Sequence, residues 1–252
     1  TITFDALADG THSNCIITVT DNASNTSDNL SVSSFTIGRL TPALYELTRV
    51  PTPDNVTTPI YTFFSTLPGA ITYGGSCSSL TTSATADNNT ITFIALAENT
   101  YDNCTISVDN NSNTSDNLSV SSFTIDTTPP TLDNVTIASD NTLNTTLAKT
   151  YDNITLSFTS SETLKSNLIV KIAGKNANEN SDNMTWSATY KMKDTDSDNV
   201  SVSLNIVFED LAGNPGSAVD NTTDGSAVWF DKTPPTLSSV TIASNNSVST
   251  LA

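Results

Sequence analysis

A long internal repeat organises this sequence. Residues 1–37 read TITFDALADGTHSNCIITVTDNASNTSDNLSVSSFTI, and residues 90–125 read TITFIALAENTYDNCTISVDNNSNTSDNLSVSSFTI. The two stretches match almost position by position, with one residue deleted after Val108. A second motif, DTTPPTLDNVTIASDN at residues 126–141, recurs 105 residues later as DKTPPTLSSVTIASNN at residues 231–246. Repeats at such intervals predict an array of domains, each about 100 residues long.

Both repeats fit one division of the chain, in which the sequence begins and ends inside domains. We expect the C-terminal part of a domain, a complete domain with a disulfide, a second complete domain, and the N-terminal strand of a further one, at residues 1–37, 38–126, 127–231 and 232–252. Prolines such as Pro129 and Pro130 stand at the predicted junctions. Because proline fixes φ, the array should behave as a semi-rigid rod.

Apolar residues alternate with polar ones through the second complete domain. The alternating positions are Val135 and Ile137; Ile154, Leu156 and Phe158; Leu168, Val170 and Ile172; Trp186, Ala188 and Tyr190; Val200, Val202, Leu204, Ile206 and Phe208; and Val228 and Phe230. A period of two over short segments is typical of strands with one buried face. The pattern predicts about six strands in two sheets, and therefore an all-β fold.

The first complete domain carries a similar series. Its positions are Leu44 and Leu47; Tyr61 and Phe63; Ile71 and Tyr73; Ile91 and Phe93; Ile106 and Val108; and Leu118, Val120, Phe123 and Ile125. The pair Ser121-Ser122 interrupts the alternation, as Ser33-Ser34 does in the first copy of the repeat. The interruption predicts a β-bulge at both places.

Two segments carry a family resemblance. VFEDLAGNPG at residues 207–216, followed by WFDKTPPT at residues 229–236, resembles the bacterial immunoglobulin-like (Big-type) tandem repeats of large extracellular adhesin and surface filament proteins. In those repeats a strand ends in an Asp-x-Ala-Gly-Asn loop, and the next repeat begins Asp-x-Thr-x-Pro. The loop has diverged to DNASN at residues 21–25 and to DNNSN at residues 109–113. The resemblance covers nearly the whole chain and implies tandem immunoglobulin-like β-sandwich domains in a rod.

The charge of the chain excludes several partners. The formal net charge is -17, from 26 acidic and 9 basic residues, so nucleic acids and anionic membrane surfaces would repel it. No run of 18 apolar residues occurs, and the first residues lack the basic and apolar regions of a signal peptide. We expect no nucleic-acid partner and no membrane insertion in this segment, with any export signal placed upstream.

The cysteines predict one disulfide. Cys77 and Cys104 fall in the same complete domain, and Cys15 is the repeat equivalent of Cys104. The partner of Cys15 would then lie upstream of residue 1. A metal site would need more cysteine or histidine nearby, and the single histidine, His12, is replaced by Tyr101 in the other copy. A disulfide implies an oxidising compartment and favours an extracellular, cell-surface location.

The tetrad Asp-Asn-x-Ser/Thr recurs far more often than composition predicts. It begins at Asp21, Asp28, Asp54, Asp87, Asp102, Asp109, Asp116, Asp133, Asp152, Asp182, Asp198 and Asp220. Asp and Asn are common turn formers, but that does not explain the Ser or Thr two residues later.

N-glycosylation explains the complete tetrad, because Asn-x-Ser/Thr is its acceptor sequence. The best candidates are Asn29, Asn55, Asn117, Asn134, Asn153, Asn183, Asn199 and Asn221. Asn103 is a poorer one, because its neighbour Cys104 should be buried. In residues 153–155 and 199–201 the strand period should turn Asn and Ser/Thr outward and the apolar residue inward.

Calcium is the metal that the sequence suggests. Asp194, Asp196 and Asp198 place carboxylates at alternate positions, as at the start of many calcium loops. The glycine and the later bidentate acid of an EF-hand loop are missing, so a turn between strands is the favoured interpretation. A second candidate set at a domain junction is Glu209, Asp210 and Asp231. No other cofactor is expected.

The sequence offers no catalytic constellation, since a Ser or Cys nucleophile needs a base and His12 is not repeated. We therefore expect a structural repeat segment of an extracellular surface or filament protein, N-glycosylated, whose partners are neighbouring copies or adjacent repeats. The alternative is an adhesin module, calcium-stabilised in one version, that contacts carbohydrate or another cell. The favoured interpretation of the two ends is a cut from a much longer chain, and the alternative is that residues 236–252 donate a strand to residues 1–37 of a neighbouring subunit.

Overall fold

A computed structural model describes residues 1–8, 10–38, 40–111 and 113–243 of the protein. Within these ranges the chain contains strands and no helix, so the all-β prediction is confirmed. Consequently no described segment provides a helix long and apolar enough to cross a membrane. The chain divides into two compact units, Thr1–Thr127 and Thr128–Ala252. The finer division into four domain parts stays a prediction.

The first copy of the repeat folds into short antiparallel strands. They are β1 (Gly10–His12), β2 (Ile16–Ile17), β3 (Leu30–Ser31) and β4 (Phe35–Ile37). β1 pairs with β4, and β2 pairs with β3. The copy therefore consists of one hairpin enclosed between the two strands of another pair.

The rest of the first unit builds three sheets. Its strands are β5 (Leu44–Thr48), β6 (Ile60–Ser65), β7 (Gly69–Gly74), β8 (Ser83–Ala84), β9 (Asn88–Thr92), β10 (Asn99–Tyr101), β11 (Thr105–Asp109), β12 (Leu118–Ser119) and β13 (Phe123–Ile125). The strand orders are β5-β6-β9, β12-β11-β7-β8 and β10-β13. Aromatic rings link these sheets in one core, with 6.0 Å between the ring centres of Tyr61 and Phe93 and 6.2 Å between those of Phe93 and Phe123. Sheets that share a core in this way are compatible with a β-sandwich.

Most of the predicted inward positions in this unit are buried, and Leu47 is an exception. Leu47 is 49% exposed, whereas Leu44 packs against the core. The pairing of β5 with β6 shifts between Glu46 and Thr48. Leu47 lies three residues after Leu44, and an odd spacing places two side chains on opposite faces of a strand, so the prediction that both point inward is wrong for Leu47.

The serine pair does not form the predicted β-bulge. β12 ends at Ser119, β13 begins at Phe123, and the two strands pair with different partners, β11 and β10. The backbone N–H and Oγ of Ser121 donate hydrogen bonds to the Glu46 carboxylate, at 2.9 and 2.6 Å. The interruption marks the point where the chain changes its partner strand.

The second unit also consists of several sheets. Its strands are β14 (Leu132–Ser139), β15 (Leu147–Ala148), β16 (Asn153–Ser160), β17 (Ile169–Ile172), β18 (Lys175–Asn176), β19 (Asn178–Asp182), β20 (Thr185–Lys191), β21 (Val200–Ser201), β22 (Leu204–Val207) and β23 (Trp229–Phe230). The strand orders are β14-β16-β20-β19, β18-β17-β22 and β15-β23-β21. The apolar faces of all three sheets share one core, which is again compatible with a β-sandwich.

The alternation predicts the core of this unit closely. Ile154, Ile172 and Ile206 are fully buried, while Trp186 is half-buried and Val200 is 39% exposed. β19 was not predicted, because all five of its residues are exposed and polar. It pairs along the edge of β20 through its backbone.

The last predicted element lies only partly within the described residues. Residues 232–243 form no strand, and residues 244–252 lie outside the described part of the chain. The N-terminal strand predicted for residues 232–252, and strand donation by residues 236–252, stay predictions.

Candidate functional site

The two copies of the long repeat pair in the same register. β1 lies along β4 with Gly10 opposite Ile37, and β10 lies along β13 with Asn99 opposite Ile125, which is the equivalent pair. The β2–β3 and β11–β12 pairs are equivalent in the same way. Thr11 and Thr36 face each other through their hydroxyls at 3.1 Å. The repeat sequence thus forms the same hairpins wherever it occurs in the chain.

A disulfide joins Cys77 to Cys104, with 5.3 Å between their Cα atoms and both residues buried. The side chain of Asn103 accepts a hydrogen bond from the backbone of Ser76 and donates one to its Oγ, each at 3.1 Å. Asn103 therefore anchors the loop that leads into Cys77. A side chain engaged in this way agrees with the expectation that Asn103 is a poorer glycan acceptor. Cys15 is a free, half-buried thiol.

His12 has a structural environment rather than a catalytic one. Its ring lies 5.4 Å from that of Phe35, and its Nε2 is 3.0 Å from the carbonyl oxygen of Ala8. Tyr101 stands at the equivalent position, with its ring 5.3 Å from that of Phe123. The Tyr101 hydroxyl also donates to a backbone carbonyl four residues upstream, as the His12 contact does. His12 thus fills the place of a core-facing tyrosine.

The Asp-x-Ala-Gly-Asn loop closes upon its own aspartate. Asp210 is only 1% exposed, and its carboxylate accepts hydrogen bonds from the N–H groups of Gly213 and Asn214 at 2.6 and 2.8 Å. Asn214 Nδ2 donates a third at 2.8 Å. In the diverged loop of residues 21–25, Asp21 accepts from the N–H and Nδ2 of Asn25 at 2.9 and 3.1 Å. These carboxylates therefore hold turns together.

In the loop that begins at Asp109, the aspartate again accepts hydrogen bonds from nearby residues. Asp109 accepts hydrogen bonds from the N–H of Asn111 at 2.7 Å and from the Thr114 hydroxyl at 2.8 Å. In the first copy, the hydrogen bonds from Asn25 hold the pKa of the Asp21 carboxyl below its ordinary value. A lowered pKa keeps the carboxylate charged, and a charged acceptor binds N–H donors more strongly.

The three aspartates predicted to bind calcium point to different partners. Asp196 is buried and accepts from the Tyr190 hydroxyl at 3.1 Å, while Asp194 lies 3.4 Å from the Tyr151 hydroxyl. Among the described residues, the carboxylate oxygens of Asp194, Asp196 and Asp198 do not gather within 4.8 Å of one another. The structure places these residues in one loop but does not bring their carboxylates together.

Lys232 ties that loop to the Asp-Lys-Thr-Pro-Pro motif. Its Nζ donates to the carbonyl oxygens of Asp194 and Asp196 at 2.7 and 2.9 Å, and its N–H donates to Asp198 at 2.8 Å. The Thr233 hydroxyl donates to the other Asp198 oxygen at 2.6 Å. The hydrogen bond from Thr233, followed by that from Lys232, lowers the pKa of the Asp198 carboxyl. A lysine ammonium thus binds backbone carbonyl oxygens of a loop in which the sequence suggested a metal cation.

The second candidate calcium set is also dispersed. The Glu209 carboxylate binds Asn167 Nδ2 at 2.9 Å and Lys165 Nζ at 3.4 Å, whereas Asp210 belongs to the closed loop described above. Asp231 accepts from the N–H of Thr233 at 2.9 Å. The hydrogen bond from Asn167 is the main cause that lowers the pKa of Glu209.

The candidate glycan acceptors lie at the surface. Asn55 is half-buried, and the other seven are exposed, namely Asn29, Asn117, Asn134, Asn153, Asn183, Asn199 and Asn221. Asn153 fits the predicted geometry, because the next residue, Ile154, is fully buried. Its Nδ2 also donates to Asp140 at 2.7 Å. A glycan on Asn153 would therefore replace one hydrogen atom of an engaged amide.

In residues 199–201, Asn199 and Ser201 are exposed as predicted, but the inward position predicted for Val200 is wrong. Val200 is 39% exposed, because Asn199 has a positive φ of 54° that turns the chain before the two-residue strand β21. Asn134 and Asn183 have positive φ values too, at 53° and 56°. Asparagine tolerates this left-handed conformation better than most residues. At these three positions, turn formation therefore accounts for the Asp-Asn pair, and N-glycosylation remains a second explanation.

Glu46 is a site residue that the sequence did not single out. Besides Ser121, its carboxylate accepts hydrogen bonds from the Tyr61 hydroxyl at 3.2 Å and from Arg49 Nε at 3.1 Å. Burial raises the pKa of Glu46, and the hydrogen bonds from Ser121, Tyr61 and Arg49 together outweigh it, so that the pKa is lowered. The sequence feature that could have identified Glu46 is the presence of an acidic residue within an apolar strand pattern.

The first unit contains a surface groove, and the second unit contains a smaller cavity. A groove of about 390 Å³ is lined by Pro42, Tyr45 and Asn117, and Tyr45 is 57% exposed. A smaller cavity of about 110 Å³ lies beside Asp196 and Val200. The groove combines an exposed aromatic ring with a candidate glycan acceptor.

No protein-family model matches the chain, and a search of curated proteins finds no match. The resemblance to Big-type repeats stays an expectation based on residues 207–216 and 229–236. Both segments form structural contacts in the second unit, the first through the closed Asp210 loop and the second through Lys232.

Proposed function

We propose that this chain is a structural repeat segment of an extracellular surface or filament protein, built of tandem immunoglobulin-like β-sandwiches that serve as a stalk, sheath or fibre. The observation that carries the proposal is the state of the loop carboxylates. Asp109, Asp210 and Asp198 all accept hydrogen bonds from their own loop or from the segment that follows a strand. Loops whose polar groups form hydrogen bonds within the fold are suited to a repeat with a structural role.

The disulfide supports the extracellular location. Disulfides persist in oxidising compartments, and Cys77–Cys104 fastens β11 to the loop that follows β7. Seven exposed acceptor asparagines support N-glycosylation of the same surface. Glycans and a closed core would both protect an exposed filament from proteases.

We infer a structural rather than an enzymatic role, since the single histidine replaces a core tyrosine. One observation favours the adhesin alternative. The groove at Tyr45 presents an exposed aromatic ring, which is a common surface for stacking a sugar. Binding of a soluble glycan that is lost in Tyr45→Ala would favour that alternative, with or without calcium at Asp194, Asp196 and Asp198.

Single-molecule stretching tests the structural proposal. We expect each complete domain to unfold in a discrete event, and the first one to release less chain because the disulfide spans a sequence separation of 27 residues. At roughly 3.5 Å per residue, the variant Cys77→Ser should release about 95 Å more chain in that event. Extension without discrete events would contradict the structural proposal. An unchanged length in Cys77→Ser would show that the disulfide does not shield its loop from force.

A further inference from the structure

The apolar face of residues 1–37 is uncovered, while the same face of residues 90–125 is buried. The exposed fractions are 64% for Ile2 against 1% for Ile91, 47% for Phe4 against 1% for Phe93, and 69% for Val19 against 0% for Val108. The two copies share their sequence and the register of their hairpins. The difference must therefore come from what packs against the face.

In the second copy, residues 38–89 cover that face. The ring of Tyr61 stacks on Phe93, which stacks on Phe123. In the first copy Phe4 and Phe35 form the equivalent stack, with their ring centres 5.8 Å apart. Among the described residues, no further ring stacks on Phe4 in the way that Tyr61 stacks on Phe93.

The backbone shows the same gap. β7 pairs along β11 from Gly74 opposite Thr105 to Ala70 opposite Asp109. Among the described residues, β2 pairs only with β3, and residues 1–3 form no strand although their equivalents belong to β9. The first copy thus presents an unpaired strand edge beside an apolar face, with Cys15 at the position of Cys104.

We propose that this face binds a half-domain of the same kind as residues 38–89, carrying a cysteine at the Cys77 position that forms a disulfide with Cys15. β9 runs through Asn89 and Thr90, so the last residue of that half-domain lies beside Thr1. The inference goes beyond the proposed function and does not rest on it.

The covalent step is an ordinary oxidation. Two thiols lose two protons and two electrons to a disulfide oxidant, which is reduced to two thiols. The same class of oxidant is needed to form Cys77–Cys104.

A fusion tests the proposal. Residues 38–89 are placed directly before Thr1, so that the new Asn89–Thr1 junction reproduces the Asn89–Thr90 sequence of the complete domain. The parent chain has one free thiol, Cys15, and the fusion adds one more cysteine. We expect the number of free thiols to fall from one to none, and peptide mapping to find Cys15 in a disulfide.

The control carries Tyr61→Asp and Phe63→Asp in the added segment alone, since both residues are fully buried in the existing domain. It should leave two free thiols. The proposal is overturned if the unmutated fusion also keeps two free thiols and Val19 stays as accessible to hydrogen exchange as in the parent. It is overturned too if the parent chain oligomerises through residues 236–252 and deletion of those residues alone exposes the face.

Discussion

Residues 1–37 and 90–125 have nearly the same sequence and the same hairpins, yet one copy is open and the other forms half of a core. Val32 and Val120 even donate equivalent backbone hydrogen bonds, to the carbonyls of Cys15 and Cys104 at 2.9 and 3.0 Å. The sequence of a copy thus decides which strands pair. Burial is decided by a second segment, residues 38–89, which packs against the second copy. The predictions below compare equivalent residues of the two copies, or change a residue that contacts one copy alone.

The largest effect is expected in the aromatic core. Phe123 is 1% exposed, so Phe123→Ala should lower the free energy of unfolding of the first complete domain by about 4 kcal/mol. Phe35→Ala should change the same transition by less than about 0.5 kcal/mol, since Phe35 contributes nothing to that core. Urea unfolding of both variants measures the difference. Equal losses would show that the two copies share one core.

The second largest effect on stability is expected from the disulfide. Cys104→Ser opens a loop with a sequence separation of 27 residues and should destabilise the first complete domain by about 3 kcal/mol. Cys15→Ser, at the equivalent position, should leave that transition unchanged because Cys15 is a free thiol. Thermal unfolding with and without reductant checks both variants. A Cys15→Ser variant as unstable as Cys104→Ser would contradict the assignment.

Glu46 provides a smaller, pH-dependent effect. Glu46→Gln weakens the hydrogen bonds to Ser121 and should cost about 2 kcal/mol at neutral pH. The folded-state pKa of Glu46 is lowered, so its contribution is complete above the ordinary glutamate pKa and is lost as pH falls through the lowered one. Glu46→Gln should therefore flatten the acid side of the stability profile.

The equivalent serine supplies the control for Glu46. Ser33→Ala should leave the profile unchanged, whereas Ser121→Ala should lose part of the stabilisation. A Glu46→Gln profile that keeps its full acid dependence would show that other carboxyls cause it.

The smallest effect on stability is expected at the acceptor sites. Asn29 and Asn117 are equivalent and both exposed, so both should carry a glycan in a host that glycosylates Asn-x-Ser/Thr. Ser31→Ala and Ser119→Ala should each remove one glycan from the intact mass and change stability by less than about 0.5 kcal/mol. Replacing the serine avoids disturbing the asparagine. A bare polypeptide mass from such a host would reject glycosylation.

Much of the fold follows from the period of two. That pattern identifies the core strands, because inward positions such as Ile154 and Tyr61 are apolar. It misses β19, which is held by backbone pairing alone and needs no apolar residue. The inward prediction for Leu47 did not follow the period of two, because Leu47 lies an odd number of residues from Leu44 and is on the exposed face.

The site was harder to predict than the fold. Aspartates at alternate positions suggested calcium, but Lys232, which contacts that loop, lies more than thirty residues further along the chain. Contacts of this range depend on the folded topology. The cysteine pair was predictable because Cys77 and Cys104 fall within one complete domain, whereas Cys15 is the repeat equivalent of Cys104.

Limited proteolysis with thermolysin, which cuts before large apolar residues, tests the difference between the two copies most directly. Ile2, Phe4 and Val19 are exposed, whereas the equivalent residues Ile91, Phe93 and Val108 are buried. The account predicts cleavage at the first three sites while the bonds before their equivalents remain intact. Cleavage of both sets at similar rates would contradict it.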